Sequence, residues 1–219
     1  MSELCYSTSM GYLTIKTNAT AELVEKRSRF LARVSPVDSE ESAIRYLNEI
    51  RQDHTASHHV FAYRLRVGNL SRYSDDGEPG GTAGLPVLDV LDRPGITDAI
   101  IVVTRWFGGT LLGTGGLVRA YSSAAKLAVE AAGVVEMELA GRYRLSVPYS
   151  DYDRVLRCAR DCGIIVDHPN YSEVVRIELI GTEEPIQLFS ETIKEMSKGK
   201  NFPELIEKKY LPIKEKKVF

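Results

Sequence analysis

Apolar positions along the chain change their period several times, and each change marks an element. Tyr12, Leu13 and Ile15 begin a strand, and residues 21 to 26 and 29 to 34 read as two further extended pieces joined at residues 26 to 28. Asp38 followed by Glu41 has the form of a capping box, with Ala43, Ile44, Leu47 and Ile50 at helical spacing, and predicts a helix over about residues 39 to 51. Residues 58 to 67 alternate as a strand that Gly68 and Asn69 end. Thr82 is placed to cap a short helix carrying Leu85, Leu88 and Leu91, with Pro86 in its first turn and Pro94-Gly95 closing it. An apolar β-branched run at residues 100 to 103 then enters a glycine-rich turn. Beyond it Leu117, Val118, Tyr121, Ala124, Ala125, Ala128 and Ala132 give a long helix, with Gly133 placed as its left-handed cap.

A second unit starts near Gly141. Residues 143 to 147 predict a strand, Ser150 with Asp153 caps a helix, and residues 164 to 166 make a strand. Pro169-Asn170 turns the chain into a strand at residues 174 to 180, Pro185 opens a helix that Gly199 ends, and residues 205 to 211 supply a last strand. The order β-α-β-β-α-β is the ferredoxin-like split unit. The boundary falls at residues 135 to 140, giving domains of 1 to 137 and 138 to 219, and the overall class is α/β (α+β). Residues 1 to 9 read as polar and frayed, and the Lys-rich segment at 208 to 217 as a mobile solvated end.

The stretch IVVTRWFGGTLLGTGGLVRAY at residues 101 to 121 joins strand, glycine loop and helix without a break. A helix that opens from such a loop leaves backbone N–H groups unpaired at its positive end, where an anion is the natural guest. Gly108, Gly109, Thr110, Gly113, Gly115 and Gly116 are the candidate contacts, with Arg105 at the strand end and Arg119 one turn into the helix. Between residues 100 and 126 there are three basic side chains and no acidic one. Glycines at this density also serve close strand–helix packing alone. The spacing matches neither G-x-G-x-x-G nor a P-loop, which excludes those two nucleotide sites.

Composition restricts the reading further. With 219 residues, 43% of them apolar, the chain can bury a core, and a net charge of −2 confines any phosphate binding to a local patch. Three cysteines do not make a disulfide framework and fit a reducing compartment. The N-terminus has no signal pattern and the chain has no run long enough to span a bilayer, so a cytoplasmic protein without a membrane partner is expected.

Asp75, Asp76 and Glu78 cluster on the loop SDDGEPGGTAG at residues 74 to 84. They can act as acid/base groups or Mg²⁺ ligands, form turns with their own backbone, or pair with Arg105 or Arg119 to hold the glycine loop in shape. His58 and His59 point to opposite faces of one strand and cannot share a metal; His58 remains a candidate phosphate contact. Cys158 and Cys162, at i, i+4 with His168 downstream, are expected to be buried free thiols. Tyr73, Trp106, Phe107 and Tyr121 lie in or beside the glycine segments and suit either core packing or stacking on unpaired bases. No metal or cofactor is expected.

The stretches SDDGEPGGTAGLPVL and VVTRWFGGTLLGTGGLVRAY, together with SRF at residues 28 to 30, closely resemble the two signatures of the Impact/YigZ family. The resemblance implies a ribosomal protein S5 domain 2-like N-terminal domain, similar to domain IV of elongation factor G, and a ferredoxin-like C-terminal domain similar to its domain V. In eukaryotic relatives the domain belongs to a translational regulator that competes for the activator of an initiation-factor kinase. Those relatives carry an RWD domain that this sequence lacks. The resemblance implies signature roles for Asp75, Asp76, Gly77, Glu78, Pro79, Gly81, Thr82, Ala83 and Gly84, then for Arg105, Phe107, Gly108, Gly109, Gly113, Gly115, Gly116 and Arg119. The expected function is non-catalytic binding of RNA or the ribosome, with a protein partner in translation control. The alternative is an enzyme that acts on a small phosphorylated or anionic substrate through the loop carboxylates.

Overall fold

The computed structural model describes residues 11 to 219; the expectation for residues 1 to 9 and the side chain of His168 lie outside the described residues. The chain is a mixed α/β protein of two compact units, one comprising Tyr12–Met137 with Pro212–Phe219 and the other Glu138–Leu211. The last residues thus pack with the larger unit instead of belonging wholly to the second domain. Val218 and Phe219 lie against its core, with Lys126 Nζ 5.4 Å from the Phe219 ring.

In the larger unit β2 (Ala19–Glu25), β3 (Ser28–Pro36), β4 (His58–Leu65), β5 (Leu70–Ser74) and β6 (Ala99–Trp106) form one sheet in the order β2-β3-β6-β4-β5. Alternation along β6 sorts its residues between two cores. Ile100 and Val102 pack with Ala43 and Leu47 of α1 (Glu40–Ile50). Ile101 and Val103 face α2 (Gly84–Asp92) and α3 (Thr114–Ala132), whose Ala124, Ala125 and Ala128 permit close approach. β1 (Tyr12–Ile15) pairs with residues 134 to 137 of β7 (Val134–Val147).

Three local expectations change. α1 is capped by Ser39, with Ser42 completing the box, instead of by Asp38 and Glu41. β5 is an additional strand. Gly133 caps α3 with the positive φ expected of it, 72°, but its ψ of 151° lies outside the left-handed helical region and leads the chain directly into β7.

The smaller unit runs through residues 141 to 147 of β7, α4 (Tyr149–Asp161), β8 (Ile165–Tyr171), β9 (Val175–Gly181), α5 (Glu183–Met196) and residues 204 to 211 of β10 (Glu204–Lys216). β10 borders β7, which borders β9, which borders β8, the ferredoxin-like order. Pro148, not Ser150, stands at the start of α4. Pro169-Asn170 makes no turn: it falls in β8 at an irregularity of register, where a missing N–H is tolerated. The Lys-rich segment is not a loose end, because β10 continues to Lys216.

One close approach fixes the geometry of the site. Lys26 and Arg27 turn β2 into β3 with φ of 45° and 69°. A Cβ on Gly108 would lie 2.1 Å from the Arg27 carbonyl carbon, so only glycine lets the loop after β6 lie flat on that turn. Gly108→Ala should therefore lower stability by about 3 kcal/mol or more in urea denaturation. Gly80→Ala, whose Cβ would meet nothing within 4 Å, should stay within about 0.5 kcal/mol of the parent.

Candidate functional site

Across three neighbouring strands Phe30, Arg105 and His58 stand abreast, since Arg105 is the registered partner of both others. They continue the face that carries Ala32, Val103 and Val60, so Arg105 points toward the α2–α3 core and is only 5% exposed. A guanidinium there requires a counter-charge. Glu78 supplies it: Arg105 Nη1 donates to Glu78 Oε1 at 2.5 Å, the Tyr121 hydroxyl donates to the same oxygen at 2.7 Å, and His58 Nε2 lies 3.8 Å away. Ser28 Oγ accepts from Arg105 Nη2 at 3.3 Å, and the guanidinium carbon lies 5.4 Å from the Phe30 ring and 5.6 Å from the Phe107 ring. Burial and then the Glu78 carboxylate raise the Tyr121 hydroxyl far above its ordinary pKa, so it remains a donor at every relevant pH.

The other two loop carboxylates have separate tasks. Asp75 accepts backbone N–H groups from Gly81, Ala83 and Gly84, at 2.9, 3.0 and 2.8 Å, and so caps α2 in the place expected for Thr82, whose hydroxyl donates to Pro79 O instead. Partial burial opposes ionisation of Asp75, but the three amides outweigh it and hold its carboxyl below the usual range. Asp76 accepts from the His59 N–H at 2.6 Å and from Arg51 Nη2 at 3.1 Å. Its carbonyl lies 2.8 Å from His58 Nδ1, which makes that nitrogen the donor and turns Nε2 toward Glu78. His59 faces the other side, toward Thr104 and Asp53. Among the described residues no three His, Cys, Asp or Glu side chains converge as a metal site.

The anion seat expected from the sequence is therefore divided. Arg105 is directed inward and is not part of an exposed anion site. Phe107 N–H donates to Ser57 Oγ and Gly108 N–H to Ser28 Oγ, both at 3.2 Å, so these amides are engaged. Gly109, Thr110, Gly113 and Gly115 are exposed and Gly116 is half-buried. α3 begins after Gly113, which as the N-cap residue has no side chain to accept from the first amides. Arg119 is exposed, and a Cβ on Gly115 would lie 3.6 Å from its Nη1, which places the guanidinium back over that first turn. Lys26 and Arg27, exposed beside Gly108, add two cations that the sequence reading did not associate with the loop. Their only signal was distance-blind: two basic residues in a hairpin turn.

Of the aromatic residues, Tyr121 is core, while Phe107 and Tyr73 are 49% and 47% exposed. Trp106 donates to Thr55 Oγ1 at 3.0 Å under Arg29, which lies 4.5 Å from its ring. Cys158 and Cys162 are half-buried and not enclosed. Burial first, then the neighbouring thiol, raises the pKa of Cys158, so it is not an activated nucleophile.

Removing one side of the buried pair strands the other charge. Arg105→Ala and Glu78→Ala should each destabilise the protein by about 3 to 5 kcal/mol, while Glu78→Leu with Arg105→Met should recover most of that loss. Urea midpoints of the two single variants and the double variant test this; equal, additive losses would show that the pair is not coupled.

Residues 26–129 match the family model described as the Impact N-terminal domain. The IMPACT family member YvyE of Bacillus subtilis is 35% identical over 193 residues, covering 87% of this chain and 89% of that protein. The crystal structure of a hypothetical protein is 28% identical, covers 90% of this chain and 98% of its own, and superposes with a TM-score of 0.56. The two-domain translational regulator Yih1 matches more loosely, 25% identical over 60% of this chain and 53% of its own, with a TM-score of 0.33. No helix among the described residues is long and apolar enough to cross a membrane. A buried Glu–Arg pair beneath two glycine-rich signatures, on a chain matched almost end to end by an IMPACT protein, makes this chain a member of the IMPACT family.

Proposed function

We propose that the chain is a non-catalytic binding protein in translation, which holds phosphate groups of RNA, free or on the ribosome, at the rim of its glycine loop. The observation that carries this reading is the start of α3: an N-cap glycine that offers no side chain to the first amides, with Arg119 folded over them and Lys26 and Arg27 next to the loop. Backbone donors, the positive end of a 19-residue helix and exposed cations together recognise phosphate without reading sequence. Exposed Phe107 and Leu111, the latter 83% exposed, offer apolar surface beside them for an unstacked base. Translation is the context supplied by the family. The patch is small, which agrees with a net charge of −2 and predicts modest affinity without strong sequence preference.

The enzymatic alternative asks for a loop carboxylate free to act on substrate. Asp75 and Asp76 accept from internal donors, and the Glu78 side chain is 4% exposed with its Oε1 shared between Arg105 and Tyr121. Binding is therefore the better-supported reading.

The β2–β3 turn provides a test that does not confound binding with folding. Two consecutive residues with positive φ favour Asn-Gly, so Lys26→Asn with Arg27→Gly removes two cations from a turn that the new residues fit better. Combined with Arg119→Ala, the substitutions should leave the thermal midpoint equal or higher. They should weaken binding to ribosomal RNA, transfer RNA and ribosomes alike, and reduce the slope of log K against log salt by about 2. An unchanged slope in the triple variant would refute the site.

A further inference from the structure

α4 and α5 of the smaller unit border a groove of about 670 Å³ whose walls include Cys158, Cys162, Thr192 and Met196. Cys162 closes α4, its N–H donating to Cys158 O at 3.0 Å, so the two cysteines lie one helical turn apart on the same face. Both side chains therefore line the same wall of the groove, and the Thr192 hydroxyl of α5 lines it with them. Both are half-buried, with one side against the hydrophobic core of the unit and the other toward the groove. Met196 places a thioether in the same walls.

We propose that Cys158 and Cys162 form a two-coordinate site for a thiophilic monovalent cation, of which Cu(I) is the physiological representative. The geometry selects against the other uses of a thiol pair. Side chains at i and i+4 have Cβ atoms about 5 to 6 Å apart, whereas a disulfide needs about 3.5 to 4.5 Å, so oxidation would require the end of α4 to unwind. A bridging cation inserts one atom between the sulfurs and spans that longer gap. Zinc requires four donors, and among the described residues no third His, Cys, Asp or Glu converges with the pair. Soft sulfur ligands with low coordination number select Cu(I). Binding is balanced as two thiols and one Cu(I) giving a dithiolate complex and two protons, with no change of oxidation state.

The experiment uses the full chain carrying Cys5→Ser, so that only these two thiols report. It is titrated with Cu(I) without oxygen against bathocuproine disulfonate, a chromophoric chelator. One equivalent of Cu(I) should be withdrawn from the chelator, and Cys158→Ser and Cys162→Ser should each lower the affinity at least a hundredfold. Cu(I) should also raise the thermal midpoint of the parent and leave that of Cys162→Ser unchanged, a readout independent of the chelator. Failure to compete, or equal competition by either single variant with its helical circular dichroism intact, would overturn the site. So would ready closure of a Cys158–Cys162 disulfide by diamide with α4 still helical, because the spacing argument would then be false.

Discussion

Arg105 occupies a strand position whose neighbours on the same face are Ile101 and Val103, and it is buried there because Glu78 reaches over from another loop to neutralise it. A buried ion pair of this kind contributes little net stability compared with an apolar pair, but it is demanding of position. Its charges are satisfied only when the loop after β5, the end of β6 and the Tyr121 turn of α3 are all in place. The pair thus acts as a register pin between the two signature stretches. The aromatic edge contact of Phe30 on Tyr121, with centroids 5.1 Å apart, fits the same arrangement from β3.

Because Arg105 is used inside, the functional charge of the region moves outward. The cations that remain accessible come from different parts of the chain: Arg119 from α3, and Lys26 and Arg27 from the β2–β3 turn. The close approach of Gly108 to Arg27 brings that turn to the loop. Interior order and the proposed phosphate recognition then use separate residues.

Much of this was legible in the residues themselves. Period gave the strands and helices, and opposite charge in two adjoining glycine segments pointed to a pairing of a loop carboxylate with Arg105 or Arg119. The inward direction of Arg105 follows from alternation with Ile101 and Val103, although an arginine beside glycines reads more readily as a ligand contact. Other features depend on tertiary contacts that no local pattern encodes. Asp38 and Ser39 are both competent caps, and only the backbone path chooses Ser39. β5 is short and polar because it is an edge strand, which hides it from a search for apolar alternation. The continuation of β10 beyond residue 211 is similarly masked by its lysines; along the strand Lys209 is held by Glu207 and Lys216 by Glu136.

The two helices that follow glycine-rich segments resolve the same physical problem in opposite ways. Each begins with amides that lack intrahelical partners. In α2 the first helical amide is satisfied from within, because Asp75 accepts from Gly84 as well as from the preceding Gly81 and Ala83 and remains ionised while doing so. An internal carboxylate closes that end to any external anion. In α3 the corresponding position is Gly113, which has no side chain to offer. Glycine at that position forgoes only about 0.3 kcal/mol relative to a Ser, Thr or Asp cap. The same choice leaves positive potential facing solvent beneath Arg119. The difference between the two helix starts, one met by Asp75 and one by a glycine alone, separates the structural loop from the loop proposed to bind phosphate.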